Sequence, residues 1–236
     1  MCTVTIVPNG DGFRLVCNRD ERRDRPAARP PRTRRCGDRL ATFPVDTAGG
    51  GTWVGVNDLG LVATLLNRTA NANTPRRESV LSRGVIVPQL LACGSWVEAM
   101  LTAGGLDPGA YEPFRVVVVH GSLGGAVVSD RQRVFAEVFT LTVPRLFTSS
   151  SLGDRLVEEP RRALFDQLVA NDHGGKLRAQ FRFHRHRWTQ SPELSVHMER
   201  ADAATVSRTV IDVSAGRTDL SYEPLGVETV PAGRAA

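Results

Sequence analysis

The chain has 236 residues and a formal net charge of +5, with 41% hydrophobic and only 6% aromatic residues. That length buries a substantial core without disulfide or metal staples, and no run approaches the 18 apolar residues of a membrane span. Of the 30 basic residues only Lys176 is lysine, a skew that reads as GC-rich coding more than as a polyanion-binding surface.

The N-terminal MCTVTIVPNGDGF lacks a basic stretch followed by an apolar one, so it predicts a strand and a turn, not a signal peptide, and a cytoplasmic protein. Strand Thr3–Val7 meets the turn Pro8-Asn9-Gly10-Asp11-Gly12, and FRLVCN returns as its partner. Residues 18–39, NRDERRDRPAARPPRTRRCGDR, concentrate arginine, but acids interrupt the run and no aromatic side chain interleaves for base stacking. With Pro26, Pro30 and Pro31 forbidding a regular helix, this predicts a solvated surface loop and no nucleic-acid partner.

A second hairpin pairs Thr52–Val56 with Leu61–Leu66 across Asn57-Asp58-Leu59-Gly60. Ser79 is placed to cap a helix through SVLSRGVIVPQLLACG, with a kink expected at Pro88. Ser95 caps a second helix that stops at Gly104. FRVVVVHG over residues 114–121 is a buried strand, GAVVSD and RVFAEVFTLT continue antiparallel, and Asp154–Ala170 has helical periodicity. A closing hairpin turns at Ser214-Ala215-Gly216, and the last residues, 231–236, are expected to fray. Antiparallel pairs with grouped helices predict one α+β domain over residues 1–230.

Cys2, Cys17, Cys36 and Cys93 form no C-x-x-C pair, so free thiols are expected. His184 and His186 would share a face if FRFHRHRW were a strand, but two histidines do not complete a metal site, and no metal is expected. Cys2 stands out by position. Removal of Met1 would leave a residue with both a thiol and an α-amine, whose reference pKa near 7.7–8.0 suits it to take the thiol proton. The alternative is a small buried hydrophobe on an edge strand. Pairing about the Pro8–Gly12 turn sets Cys2 opposite residues 17 to 19, beside the charged cluster Asn18, Arg19, Asp20 and Glu21. An arginine there favours the thiolate, and a carboxylate would hold an ammonium. Asn67 has the chemistry of an oxyanion donor, or equally of a turn residue.

MCT at the start, NRDE at 18–21, GGTWVGVNDLGLVATLLNR, SRG at Ser82–Gly84 and FTSSSLGDRLVEEPR at 147–161 resemble the NRDE family, also called the transport and Golgi organisation protein 2 family. The resemblance implies an N-terminal nucleophile (Ntn) hydrolase-like fold, a four-layer αββα sandwich with two antiparallel sheets. By similarity to choloylglycine hydrolases and penicillin acylases, it implies Cys2 as the nucleophile of an amidohydrolase acting on a small amide. Those enzymes carry Arg-x-x-Asp after the second strand, whereas here Asn18 and Glu21 hold that spacing around Arg19 and Asp20. The amidohydrolase reading needs no cofactor. The family's link to haem handling leaves a second reading, a non-catalytic carrier, with Cys2, His120 and His197 as candidate axial ligands.

Overall fold

A computed structural model describes residues 2–69, 81–172 and 174–225. Two antiparallel sheets lie face to face. The first has five strands in the order β10-β1-β2-β11-β12, and the second has seven, running β3 to β9 in sequence order. The first sheet takes β1 (Cys2–Asn9), β2 (Gly12–Arg22), β10 (Arg145–Thr148), β11 (Ala203–Ser214) and β12 (Arg217–Pro224). The second takes β3 (Arg29–Cys36), β4 (Arg39–Val45), β5 (Val54–Asn57), β6 (Val62–Asn67), β7 (Phe114–His120), β8 (Leu123–Ser129) and β9 (Val134–Thr140).

Strand alternation sorts each sheet's side chains into two layers. Val4, Ile6, Leu15 and Cys17 of the first sheet meet Val56, Val62, Leu66 and Val117 of the second in the space between them. On the outer face of the second sheet, Phe43, Ala63, Val116 and Val118 bury against α1 (Ile86–Leu91) and α2 (Trp96–Gly104). On the outer face of the first, Val7 and Leu146 pack against Phe165 of α3 (Asp154–Phe165) and Ala179 and Phe183 of α4 (Lys176–Arg185). The order helix, sheet, sheet, helix is the four-layer arrangement expected. Each fully buried Val or Leu in these layers contributes roughly 1.5–3 kcal/mol.

Several expectations need correction. The 18–39 segment is not a loop. β2 runs on through the NRDE stretch to Arg22, and Arg29–Cys36 forms β3, with a register shift between Arg29 and Arg32. Pro30 and Pro31 sit there because β3 is an edge strand, where a missing N–H costs no ladder bond, and its exposed arginines discourage further pairing. FRFHRHRW is not a strand: α4 ends at Arg185 and His186 is its C-cap, so His184 and His186 share no strand face. Asp154–Ala170 splits into α3 and a π-helical turn over 166–170. Pro88 does not kink α1, because the helix starts at Ile86 and the proline falls in the first turn, where its nitrogen has no intrahelical acceptor to lose. Ser79 and the 231–236 tail lie outside the described residues. Ser95 caps α2 as expected, its Oγ accepting from Glu98 N at 3.1 Å.

Candidate active site

The β1–β2 hairpin sets Cys2 directly across from Arg19. β1 is interior, flanked by β10 and β2, so Cys2 is not on an edge strand. Ser149, just past β10, holds the Cys2 backbone from the other side. Its N donates to Cys2 O at 3.0 Å, and its Oγ lies 3.2 Å from Cys2 N. Beneath this point Arg161, 1% exposed, donates from Nη1 to the hydroxyls of Thr3 and Thr148, both at 2.8 Å, and from Nε and Nη2 to the carbonyls of Leu194 and Ser195. One guanidinium thus ties β1 to β10 beside the cysteine.

Because NRDE lies within a strand, alternation divides its residues between two faces. Cys2, Arg19, Glu21 and Asn67 all line one cavity of about 400 Å³. Asn18 and Asp20 do not. The Asn18 amide donates to the carbonyls of His184 and Val196 and its oxygen accepts from Arg208, so these side-chain bonds run to α4, β11 and the segment between them. The Asp20 carboxylate accepts from Thr205 Oγ1 at 2.6 Å, and burial raises its pKa against the pull of Arg161.

Sequence reasoning missed the rest of the wall. Arg19 stacks over the Trp53 ring at 4.3 Å and reaches Glu21 and Asp46, each at 3.2 Å. Arg25 holds Asp46 at 2.6 Å. Although burial opposes it, Arg25 and Arg19 keep the Asp46 carboxyl below its ordinary pKa. Asp46 also accepts from Gly49 N, and its carbonyl accepts from Gly50 N in a turn whose Gly50 has φ +69°. The Gly49-Gly50-Gly51 run was the available signal: it marks a tight turn, and Asp46 stands just before it.

Cys2 and Cys17 face the same inter-sheet space, two pairs apart along the hairpin. A hydrogen bond from the Cys17 thiol holds the Cys2 pKa below its ordinary value against the effect of burial, and Arg19 adds to this. The contact with Cys2 and burial push the Cys17 pKa well up. Burial also raises Cys93 and Cys36, and at Cys36 it outweighs the nearby Arg34. All four cysteines are free.

Among the described residues, no histidine lines the Cys2 cavity. His120 Nε2 lies 3.0 Å from Leu59 O at a strand end, and His197 meets Arg187 at 2.8 Å. Among the described residues, no group of three or more His, Cys, Asp or Glu side chains gathers as metal ligands. No helix there is long and apolar enough to cross a membrane.

The family described as Transport and Golgi organisation 2 matches residues 1–164. No curated protein sequence matches significantly. Among solved structures, the Caenorhabditis elegans N-acylethanolamine-hydrolyzing acid amidase ortholog is similar, with TM-score 0.59 at 13% identity, covering 89% of this chain and 92% of its own. Penicillin V acylase from Agrobacterium tumefaciens has TM-score 0.55 at 12% identity, over 95% of this chain and 86% of its own. The C2A mutant of conjugated bile acid hydrolase from Clostridium perfringens has TM-score 0.52 at 12% identity, over 95% and 92%. The fold is that of the Ntn hydrolases.

Proposed function

Starting from a chain that belongs to the Transport and Golgi organisation 2 family, we propose that it is a cysteine Ntn amidohydrolase that cleaves a small amide through Cys2. The observation that carries this reading is the Cys2 thiol itself. It opens into a cavity, with a lowered pKa, at the start of a central strand. The three similar structures, an acid amidase, an acylase and a mutant of a conjugated bile acid hydrolase, support it.

In the proposed reaction, Met1 is removed and the Cys2 α-amine takes the thiol proton. The sulfur attacks the amide carbonyl, and the developing oxyanion is met by the Asn67 amide. Collapse breaks the C–N bond, the α-ammonium returns its proton to the departing amine, and a thioester remains on Cys2. Water, deprotonated by the same amine, then releases the carboxylic acid and restores the thiol. Arg19 keeps the thiolate accessible at neutral pH. Ser149 Oγ, 3.2 Å from Cys2 N, fixes the direction of the amine. Asp20 lies behind the strand and acts on the amine's charge through space, while Asn18 holds α4 in place.

The carrier reading has less support, because among the described residues the cavity offers haem one thiol and no imidazole. Incubation with penicillin V, an N-acylethanolamine and a glycine-conjugated bile acid, followed by intact mass, tests the enzyme reading. An acyl adduct on the N-terminal peptide with release of amine, both absent in Cys2→Ala, is the expected result. Turnover that persists in Cys2→Ala would sink it.

A further inference from the structure

The Ser82-Arg83-Gly84 stretch stands out in the sequence, and the proposed reaction makes no use of it. Arg83 lines the same cavity as Cys2. The carboxylates of that wall are already engaged. Glu21 lies 3.2 Å from Arg19 and 3.6 Å from Arg25, Asp46 is held by the same two arginines, and Glu112 lies 3.4 Å from Arg131. Among the described residues the Arg83 side chain makes one hydrogen bond, Nη1 to Pro113 O at 2.8 Å, and no ion pair. Among the described residues its Nε and Nη2 have no acceptor, and neither is a fully buried atom.

A guanidinium drawn partly out of water without a counter-charge is costly, and burial does lower the Arg83 pKa, with Glu112 and Glu21 opposing. It remains protonated at neutral pH, because arginine is not deprotonated in proteins. The backbone beneath it is fixed. Gly84 O accepts from Thr52 N at 3.0 Å, Ser82 Oγ accepts from Gly84 N at 3.3 Å, and a Cβ at Gly51 would lie 2.3 Å from the Gly84 carbonyl carbon. Arg83 is therefore positioned before any ligand arrives, which lowers the ordering cost of binding.

We infer that Arg83 receives a carboxylate of the ligand that enters the Cys2 cavity, so that the substrate class is a small N-acyl amino acid. Three guanidiniums, those of Arg19, Arg25 and Arg83, and three carboxylates line the cavity, but each carboxylate is ion-paired to Arg19, Arg25 or, from outside the lining, Arg131, which leaves the Arg83 guanidinium to meet an anionic group. A planar guanidinium with a free N–H edge matches a carboxylate in bidentate geometry. Naming an amide substrate rests on the nucleophile reading of Cys2, but the preference for an anion does not.

Calorimetric titration of the full chain carrying Cys2→Ala separates the two, because it measures binding without turnover. The probes are hippurate and its uncharged primary amide, hippuramide. Hippurate is expected to bind at least about tenfold more tightly, about 1.4 kcal/mol. Adding Arg83→Gln should remove the difference, and adding Arg83→Lys should keep part of it, with circular dichroism confirming that both variants fold. Equal affinities, no hippurate binding up to about 10 mM, or a preference that survives Arg83→Gln would each overturn the inference. Failure of amide hydrolysis with the hippurate preference intact would instead overturn only the nucleophile reading.

Discussion

The chemistry of Cys2 depends on three neighbours supplied by one hairpin and one strand. Cys17 shares its face and lowers its pKa, Arg19 stands across the ladder, and Ser149 grips its backbone. Since one pKa unit changes the thiolate fraction about tenfold below the pKa, loss of the Cys17 donor has a measurable consequence. Cys17→Ala should raise the Cys2 pKa and slow its alkylation by iodoacetamide at pH 7 by several-fold, and Cys17→Ser, which keeps a donor, should restore most of the rate. Equal rates in all three proteins would show that the thiol pair is only packing. Arg19→Ala should likewise slow Cys2 and leave Cys36 unchanged, as read by peptide mapping. The position of Cys2 and its pairing with the end of strand 2 were legible in the sequence, because the Pro8–Gly12 turn fixes the register. The split of NRDE between two faces was not. It follows from β2 continuing to Arg22, and four charged or polar residues in a row give no apolar alternation from which a strand can be read.

At the scale of elements, α3 and α4 hold β1 from behind through buried polar contacts. Arg161 of α3 ties β1 to β10, and Arg161→Ala should cost about 3 kcal/mol in urea unfolding, since it empties a buried site and strands the Thr3 and Thr148 hydroxyls. A loss under about 1 kcal/mol would contradict that role. From α4, Gln180 Nε2 donates to Thr5 Oγ1 at 2.8 Å, and the Thr5 hydroxyl meets His184 Nε2 at 2.7 Å. Burial, with Arg208 and Arg161 adding, keeps His184 well below its ordinary pKa of 6.5, and burial with Arg187 lowers His197 to about 4. Below pH 6.5 the unfolded chain protonates these histidines while the folded chain does not, so stability must fall as pH drops from about 6.5 towards 4. The urea midpoint should be lower at pH 5 than at pH 7.5, and His197→Gln, which still offers Arg187 an acceptor, should narrow the gap. A midpoint at pH 5 equal to or above that at pH 7.5 would be incompatible with neutral buried histidines. α4 was unreadable beforehand because FRFHRHRW alternates apolar and basic residues like a strand, and its helical period shows only once Ala179 and Phe183 are seen packed on Val7. β3 was hidden for the opposite reason, since its prolines are tolerated only at a sheet edge that local sequence does not reveal.

For the whole molecule, the two hairpins and the buried strand FRVVVVHG were enough to expect α+β layers, since antiparallel strands with one apolar face need cover. The pairing of β10 with β1 was not visible, because it joins residues about 145 positions apart with only four residues of strand. That pairing closes the site by bringing Ser149 to Cys2. The central claim, a nucleophile that carries its own amine, is tested most directly by one peptide map of the purified protein after sub-stoichiometric iodoacetamide near neutral pH. The account predicts an N-terminal peptide that begins at Cys2 and takes up label at least about tenfold faster than the peptides bearing Cys17, Cys36 and Cys93, in keeping with the opposite directions of their pKa shifts. An N-terminal peptide beginning Met-Cys-Thr, or labelling of Cys2 no faster than Cys93, would contradict it.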